Sequence, residues 1–244
     1  MVGKARERSA QGQEAVRPRL ALALDVDDSV LAMRWAMRLR PWFGVAKVGL
    51  ELFSAAGPAA IGALADGGFK VFIDLKIADI PNTSRKAARV LGALGVSYLT
   101  VHTFAGRPTL EATAQGLAEG AERAGLPAPV ALGVTILTSE VDAPVDLLRA
   151  RVASARDAGC GGVVCAAPDL GEVKLVAPEL LTVVPGIRLA EADKHDHGRW
   201  ATAGQAFRRG ADLLVIGRAV TEAPDPERAA AAIVEELSAA LSGR

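Results

Sequence analysis

The sequence is short of cysteine and has no charge surplus of either sign. Its 244 residues contain two cysteines, Cys160 and Cys165, within one short segment. They form no framework of paired spacings, which excludes a disulfide-stapled secreted domain and fits a reducing, cytoplasmic setting. Lys+Arg and Asp+Glu both total 28, so nothing favours a nucleic-acid polyanion or an anionic membrane surface as partner. No apolar run is long enough to span a bilayer, and the opening MVGKARERSAQGQEAVRPR lacks the apolar stretch of a secretory signal. A G-x-G-x-x-G, a Walker loop and a metal motif are also missing, so no place is expected for a nicotinamide, ATP or zinc. His195 and His197 lie together on a polar stretch, but two histidines fall short of the three or four ligands of a zinc site. The expected partner is a small molecule, with no cofactor and no metal.

Half of the residues are hydrophobic, enough to build the core of one barrel-sized domain. The first nineteen residues read as a mobile tail and residues 20–244 as a single domain. From Leu20 onward, short runs rich in Val, Ile and Leu alternate with longer Ala-rich segments of helical periodicity. That alternation calls for parallel strands joined by crossover helices. Eight strand candidates can be counted: LALALD, VAKVGL, KVFIDLK, SYLTVH, PVALGVT, GGVVC, LLTVVP and DLLVIG. The last helix is expected from about Pro226 to Leu241. Eight such units in a chain of this length predict an α/β fold of the (β/α)8 TIM-barrel type, with a doubly wound open sheet as the structural alternative.

Strand parity sorts the polar residues, because successive side chains point to opposite faces. In LALALD, Leu20, Leu22 and Leu24 share the face under the helices, leaving Ala21, Ala23 and Asp25 toward the barrel axis. The same alternation turns Lys47 inward in AKVGL, and Phe72, Asp74 and Lys76 inward in KVFIDLK. His102 comes out inward in YLTVH. The charged members lie at the C-terminal ends of their strands, where active sites of such barrels are built.

The densest stretch is Asp74-Leu-Lys-Ile-Ala-Asp-Ile-Pro-Asn-Thr83, which gathers two carboxylates and an ammonium at a strand end. A plain surface loop would not be led by Asp74 and Lys76 on the inward face, where unpaired charges carry a heavy desolvation cost. Here the sequence resembles the orotidine 5'-phosphate decarboxylase family, whose hallmark is D-x-K-x-x-D-I-x-x-T after the third strand. The resemblance runs from about Leu20 to Leu241. It implies a cofactor-independent enzyme that makes UMP from orotidine 5'-phosphate. Asp74, Lys76 and Asp79 would be its catalytic array, and Lys47 would complete an alternating Lys-Asp-Lys-Asp network. Lys76 would protonate the carbanion left at C6, and Asp25 would bind the ribose. Residues matching Asp79, Ile80 and Thr83 reach into the neighbouring subunit's site in the family, which implies a homodimer with shared active sites.

Phosphate recognition needs backbone N–H groups, a helix N-terminus or a guanidinium. Pro185-Gly-Ile-Arg188 and Ile216-Gly217-Arg218 follow the seventh and eighth strands, where such barrels commonly hold a phosphate. They match the family's Pro-Gly-Ile-Arg and Ile-Gly-Arg grip, which implies binding roles for Pro185, Arg188, Gly217 and Arg218. The segment between Leu189 and Trp200 would be the lid. Family members usually carry Gln nine residues after the equivalent of Arg188, but this chain has His197. An imidazole with a pKa of about 6.5 predicts weaker or more pH-dependent lid closure. Thr138 matches a position that contacts the pyrimidine, although a threonine after a strand can equally cap a helix. His102 reads as a hydrogen-bonded structural histidine and Cys165 as a small apolar packing residue. The alternative on the same scaffold is a magnesium-dependent 3-keto-L-gulonate 6-phosphate decarboxylase or hexulose phosphate synthase. Those share D-x-K-x-x-D but carry a glutamate where this chain has Lys47.

Overall fold

The computed structural model describes residues 12–137, 140, 142–189 and 199–242. Ten strands are present among them: β1 (Leu20–Ala23), β2 (Val45–Gly49), β3 (Lys70–Ile77), β4 (Tyr98–His102), β5 (Val130–Val134), β6 (Gly162–Val164), β7 (Leu181–Val184), β8 (Ile187–Arg188), β9 (Ala201–Thr202) and β10 (Leu213–Ile216). Eight of them close a parallel barrel in the order β1-β10-β7-β6-β5-β4-β3-β2. This is the (β/α)8 TIM barrel that the alternating pattern predicts, and its closure sets aside the open sheet. The expected last helix spans Pro226–Ser242.

Strand parity survives as two nested cores. Leu20, Leu22, Leu24, Ala46, Val48, Val71 and Ile73 belong to the cluster between strands and helices. Ala21, Ala23, Val45, Phe72, Leu132, Val183, Leu213 and Val215 form a second cluster inside the barrel. A packed interior of this kind leaves the strand ends as the place for a site.

The N-terminal boundary falls earlier than expected. Residues 12–16 are helical, and a 3-10 turn, Arg17–Arg19, leads into β1. Val16 is fully buried, and the Arg17 carbonyl accepts a hydrogen bond from Gly44 N at 2.9 Å. Apolar burial together with a satisfied backbone group offsets the entropy of ordering this stretch. Residues 1–11 lie outside the described residues.

Two features outside the regular barrel position its mouth. The short strands β8 and β9 pair in parallel, Ile187 with Ala201 and Arg188 with Thr202, and set Arg188 beside the strand ends. The helices Pro81–Ala93 and Arg107–Arg123 lie unusually close. A Cβ on Gly120 would stand 2.0 Å from the Arg89 carbonyl oxygen, so only glycine permits this approach. Thr109 on the second helix donates to the Asp79 carbonyl at 2.9 Å, and Ser84 on the first donates to it at 3.2 Å. Asp79, just before the first helix, is thereby fixed to a stiff helix pair.

Candidate active site

A cavity of about 1070 Å3 opens at the C-terminal ends of the barrel strands. Its lining includes Asp25, Lys47, Asp74 and Lys76 on one side, and Pro185, Arg188, Gly217 and Arg218 on the other. Eight of the predicted site residues therefore share one space, although they lie on or just after six different strands.

The charged side is a continuous alternating chain. Lys47 Nζ lies 2.9 Å from Asp25 Oδ1 and 3.6 Å from Asp74 Oδ2. Lys76 Nζ lies 2.9 Å from the other Asp74 oxygen. Asp74 thus sits between two ammonium groups. The geometry depends on Gly49, where a Cβ would stand 2.7 Å from Asp25 Oδ1 and 3.0 Å from Lys47 Nζ.

Lys76 is the one non-glycine residue with positive φ among the described residues, at 49°. The β3–β4 register shifts between Ile73 and Ile77 at the same place. Such a bulge re-aims a side chain at the cost of an unpaired backbone group and a strained dihedral. Thr100, inward on β4, absorbs that cost. Its hydroxyl accepts from Lys76 N at 2.8 Å and donates to Asp74 Oδ1 at 3.0 Å. One side chain therefore satisfies the strained backbone and orients the central carboxylate. Sequence reasoning passed over Thr100 and Gly49. The signal for Thr100 was available, since parity places it on the same face as His102.

Asp79 is not part of this chain of charges. It is exposed, and its carboxylate accepts from Ile80 N at 2.6 Å, closing its own turn. Ile80 is 65% exposed, and Thr83 is exposed beside it. Within one chain the network runs Asp25–Lys47–Asp74–Lys76, and the far end expected of Asp79 points elsewhere. Thr138 and His197 lie outside the described residues.

The opposite side is built from loops. Arg188, in β8, places its guanidinium carbon 5.9 Å from the centre of the Trp200 ring, within cation–π range. Arg218 opens the single helical turn Arg218–Thr221, and Gly217 caps it, accepting from Val220 N at 2.8 Å. Gly186 has φ of 76°, a conformation that turns the chain sharply between β7 and β8. Two guanidinium groups lining one space suit a dianionic phosphate.

His102 and Cys165, also singled out in the sequence, are both buried. His102 is buried, and its Nδ1 accepts a long bond of 3.5 Å from Phe104 N. Desolvation, followed by the nearby Arg151, lowers the pKa of its imidazole below 6.5, with Glu140 opposing and Lys76 adding to the effect. Cys165 lines the cavity, but burial pushes its thiol up to about 12. It stays protonated and takes no nucleophilic role.

The chain is similar over most of its length to known proteins. The family model described as Orotidine 5'-phosphate decarboxylase / HUMPS family matches residues 18–233. An orotidine 5'-phosphate decarboxylase of Moorella thermoacetica is 42% identical over 241 residues, covering 92% of this chain and 96% of that protein. One from Anaeromyxobacter sp. (strain K) is 42% identical over 230 residues, covering 90% and 98%. The crystal structure of orotidine 5'-phosphate decarboxylase from Lactobacillus acidophilus superposes with a TM-score of 0.76 at 32% identity, covering 91% of this chain and 99% of the other.

Proposed function

The chain belongs to the orotidine 5'-phosphate decarboxylase / HUMPS family, and on that premise we propose how its site converts orotidine 5'-phosphate to UMP. The observation that carries the assignment is Asp74 held between Lys47 and Lys76, facing Arg188 and Arg218 across one cavity. That arrangement suits a substrate with a carboxylate to lose at one end and a phosphate to hold at the other. The magnesium-dependent reading is not favoured. Its families carry a glutamate at the position of Lys47, whereas here that position supplies an ammonium bonded to Asp25.

Departure of carbon dioxide leaves the bonding electron pair at C6 of the pyrimidine, where the ring does not delocalise it. Lys76 stands beside the developing charge as a cation and then gives C6 a proton from Nζ. Asp74 holds Lys76 in place and faces the substrate carboxylate. Two like charges ~4 Å apart cost about 4 kcal/mol at an effective dielectric near 20, or roughly three powers of ten in rate. Enzymes accelerate reactions by about 10⁶-fold or more, so carbanion stabilisation and phosphate binding supply most of the acceleration. Asp25 binds the ribose, and Pro185, Arg188, Gly217 and Arg218 bind the phosphate.

The site works as a homodimer in this reading. Asp79, Ile80 and Thr83 project from the stiff helix pair and would enter the cavity of a second copy, completing the alternation after Lys76. Ile80, 65% exposed in one chain, would be covered there. Among the described residues no helix is long and apolar enough to cross a membrane, and the reduced state expected of a cytoplasmic protein suits the buried, unpaired Cys160 and Cys165.

Lys76→Ala tests the assignment. We expect kcat to fall by at least about 10⁴-fold, with UMP binding still measurable by calorimetry. Retained turnover would remove Lys76 from its role.

A further inference from the structure

Three segments of the cavity rim meet at Arg199. Its Nη1 donates to the Glu140 carbonyl, beyond β5, at 2.9 Å. Its Nη2 pairs with Asp169, in the 3-10 turn that follows β6. Arg199 itself leads into β9 and lines the cavity. The paired side chains are 12% and 11% exposed, so both charges have given up most of their water. Removing either partner would strand the other. Asp169 Oδ2 is buried with no hydrogen-bond partner among the described residues. Burial pushes the Asp169 carboxyl above the usual carboxylate range, against the pull of Arg199. Arg199 lines the cavity beside the apolar Val134, Ile136, Leu137 and Val164, and Asp169 holds it from behind.

The residue that follows Arg199 gives the pair a purpose. Trp200 is the ring over which the Arg188 guanidinium lies, and β9 begins one residue later and pairs Thr202 with Arg188. Two strands of two residues each have little stability of their own, so their position is set by what holds their ends. Beyond β9, Glu236 accepts from the Thr202 hydroxyl and from Gly204 N. Before β9, Arg199 provides the anchor. We infer that Arg199 is a positioning residue that, fixed to Asp169 and Glu140, holds Trp200 and β9 against Arg188 and so aims its guanidinium at the substrate phosphate. This rests on the phosphate-binding role proposed for Arg188.

The test is steady-state kinetics with orotidine 5'-phosphate for the wild type, Arg188→Ala, Arg199→Ala, Arg199→Lys and the Arg188→Ala/Arg199→Ala double variant, with a Tm for each. Arg199→Ala should raise KM about tenfold and change kcat by less than about threefold, as expected when a charge-assisted contact is misplaced. The double variant should be no worse than Arg188→Ala, because the effect passes through Arg188. Arg199→Lys keeps the charge but lacks the planar fork that reaches two acceptors. It should raise KM a few fold at wild-type Tm, and it carries the test if the alanine variant does not fold. Unchanged KM in both Arg199 variants, or effects that multiply in the double variant, would overturn the inference. An unchanged KM in Arg188→Ala would overturn the phosphate role of Arg188, and this inference with it. A wild type inactive on this substrate would instead contradict the proposed function.

Discussion

On the β1–β3 side of the cavity the charges sit on strand residues or, for Asp25, two residues beyond a strand, and satisfy one another before any ligand arrives. Lys47 bridges Asp25 and Asp74, and Thr100 joins Asp74 to the backbone of Lys76. On the β7–β10 side the cations sit on short elements outside the barrel strands: Arg188 in the two-residue strand β8 beside a sharp glycine turn, Arg218 at the start of a four-residue helix. The first wall is suited to electrostatic work that must not reorganise during reaction. The second is suited to binding an anion, with placement set by anchors such as Arg199 rather than by the barrel itself. The comparison predicts that substitutions on the strand wall act on kcat, and those on the loop wall on KM.

The largest effect should come from completing the strand wall with a second copy. Asp79→Ala should lose nearly all turnover, as should Lys76→Ala. Refolding the two variants together should restore about a quarter of wild-type activity, because half of the dimers then hold one intact site of two. No recovery on mixing would place Asp79 outside the shared site. On the loop wall, Arg218→Ala should raise KM by about 10- to 100-fold, the worth of a charge-assisted contact to phosphate, with a smaller change in kcat. A fall in kcat at constant KM would erase the distinction between the walls. Thr100→Val, close in size to the native residue, should lower kcat about tenfold with KM nearly constant, by loosening Asp74 and leaving the Lys76 N–H unpaired.

The smallest effect concerns pH. Burial holds His102 below the ordinary imidazole pKa of 6.5, so in acid the unfolded chain binds more protons than the native state. The stability of His102 packing is therefore complete above about pH 6.5 and is lost as pH falls through the lowered native value. His102→Gln should reduce the Tm difference between pH 7.5 and pH 5.5, read by calorimetry. An undiminished difference would show that other groups carry the acid sensitivity.

The two walls also differed in how far the sequence revealed them. Asp25, Lys47 and Asp74 could be placed by alternation alone, because a strand side chain has only two directions and the leucines of LALALD claim one of them. The barrel followed from the repeat of apolar strands and Ala-rich helices for the same reason. Arg188 and Arg218 had no periodicity to place them, and their common destination was legible only through the Pro-Gly-Ile-Arg and Ile-Gly-Arg resemblance. Lys76 lies between these cases. Its inward direction was expected from parity, yet a bulge and a positive φ produce it, and neither shows in a pattern of residue types. Thr100 and Arg199 act through tertiary contacts 24 and 59 residues away in sequence, beyond the reach of any local pattern. The burial of Val16 was hidden likewise, since one valine in a polar stretch reads as tail until its docking site is known.

The most direct test of the account is the loss of orotidine 5'-phosphate absorbance when purified, EDTA-treated protein is added. The account predicts rapid conversion to UMP at the same rate with or without added magnesium. No conversion, together with magnesium-dependent activity on a sugar phosphate, would contradict it and move the chain to the magnesium-dependent branch of its family.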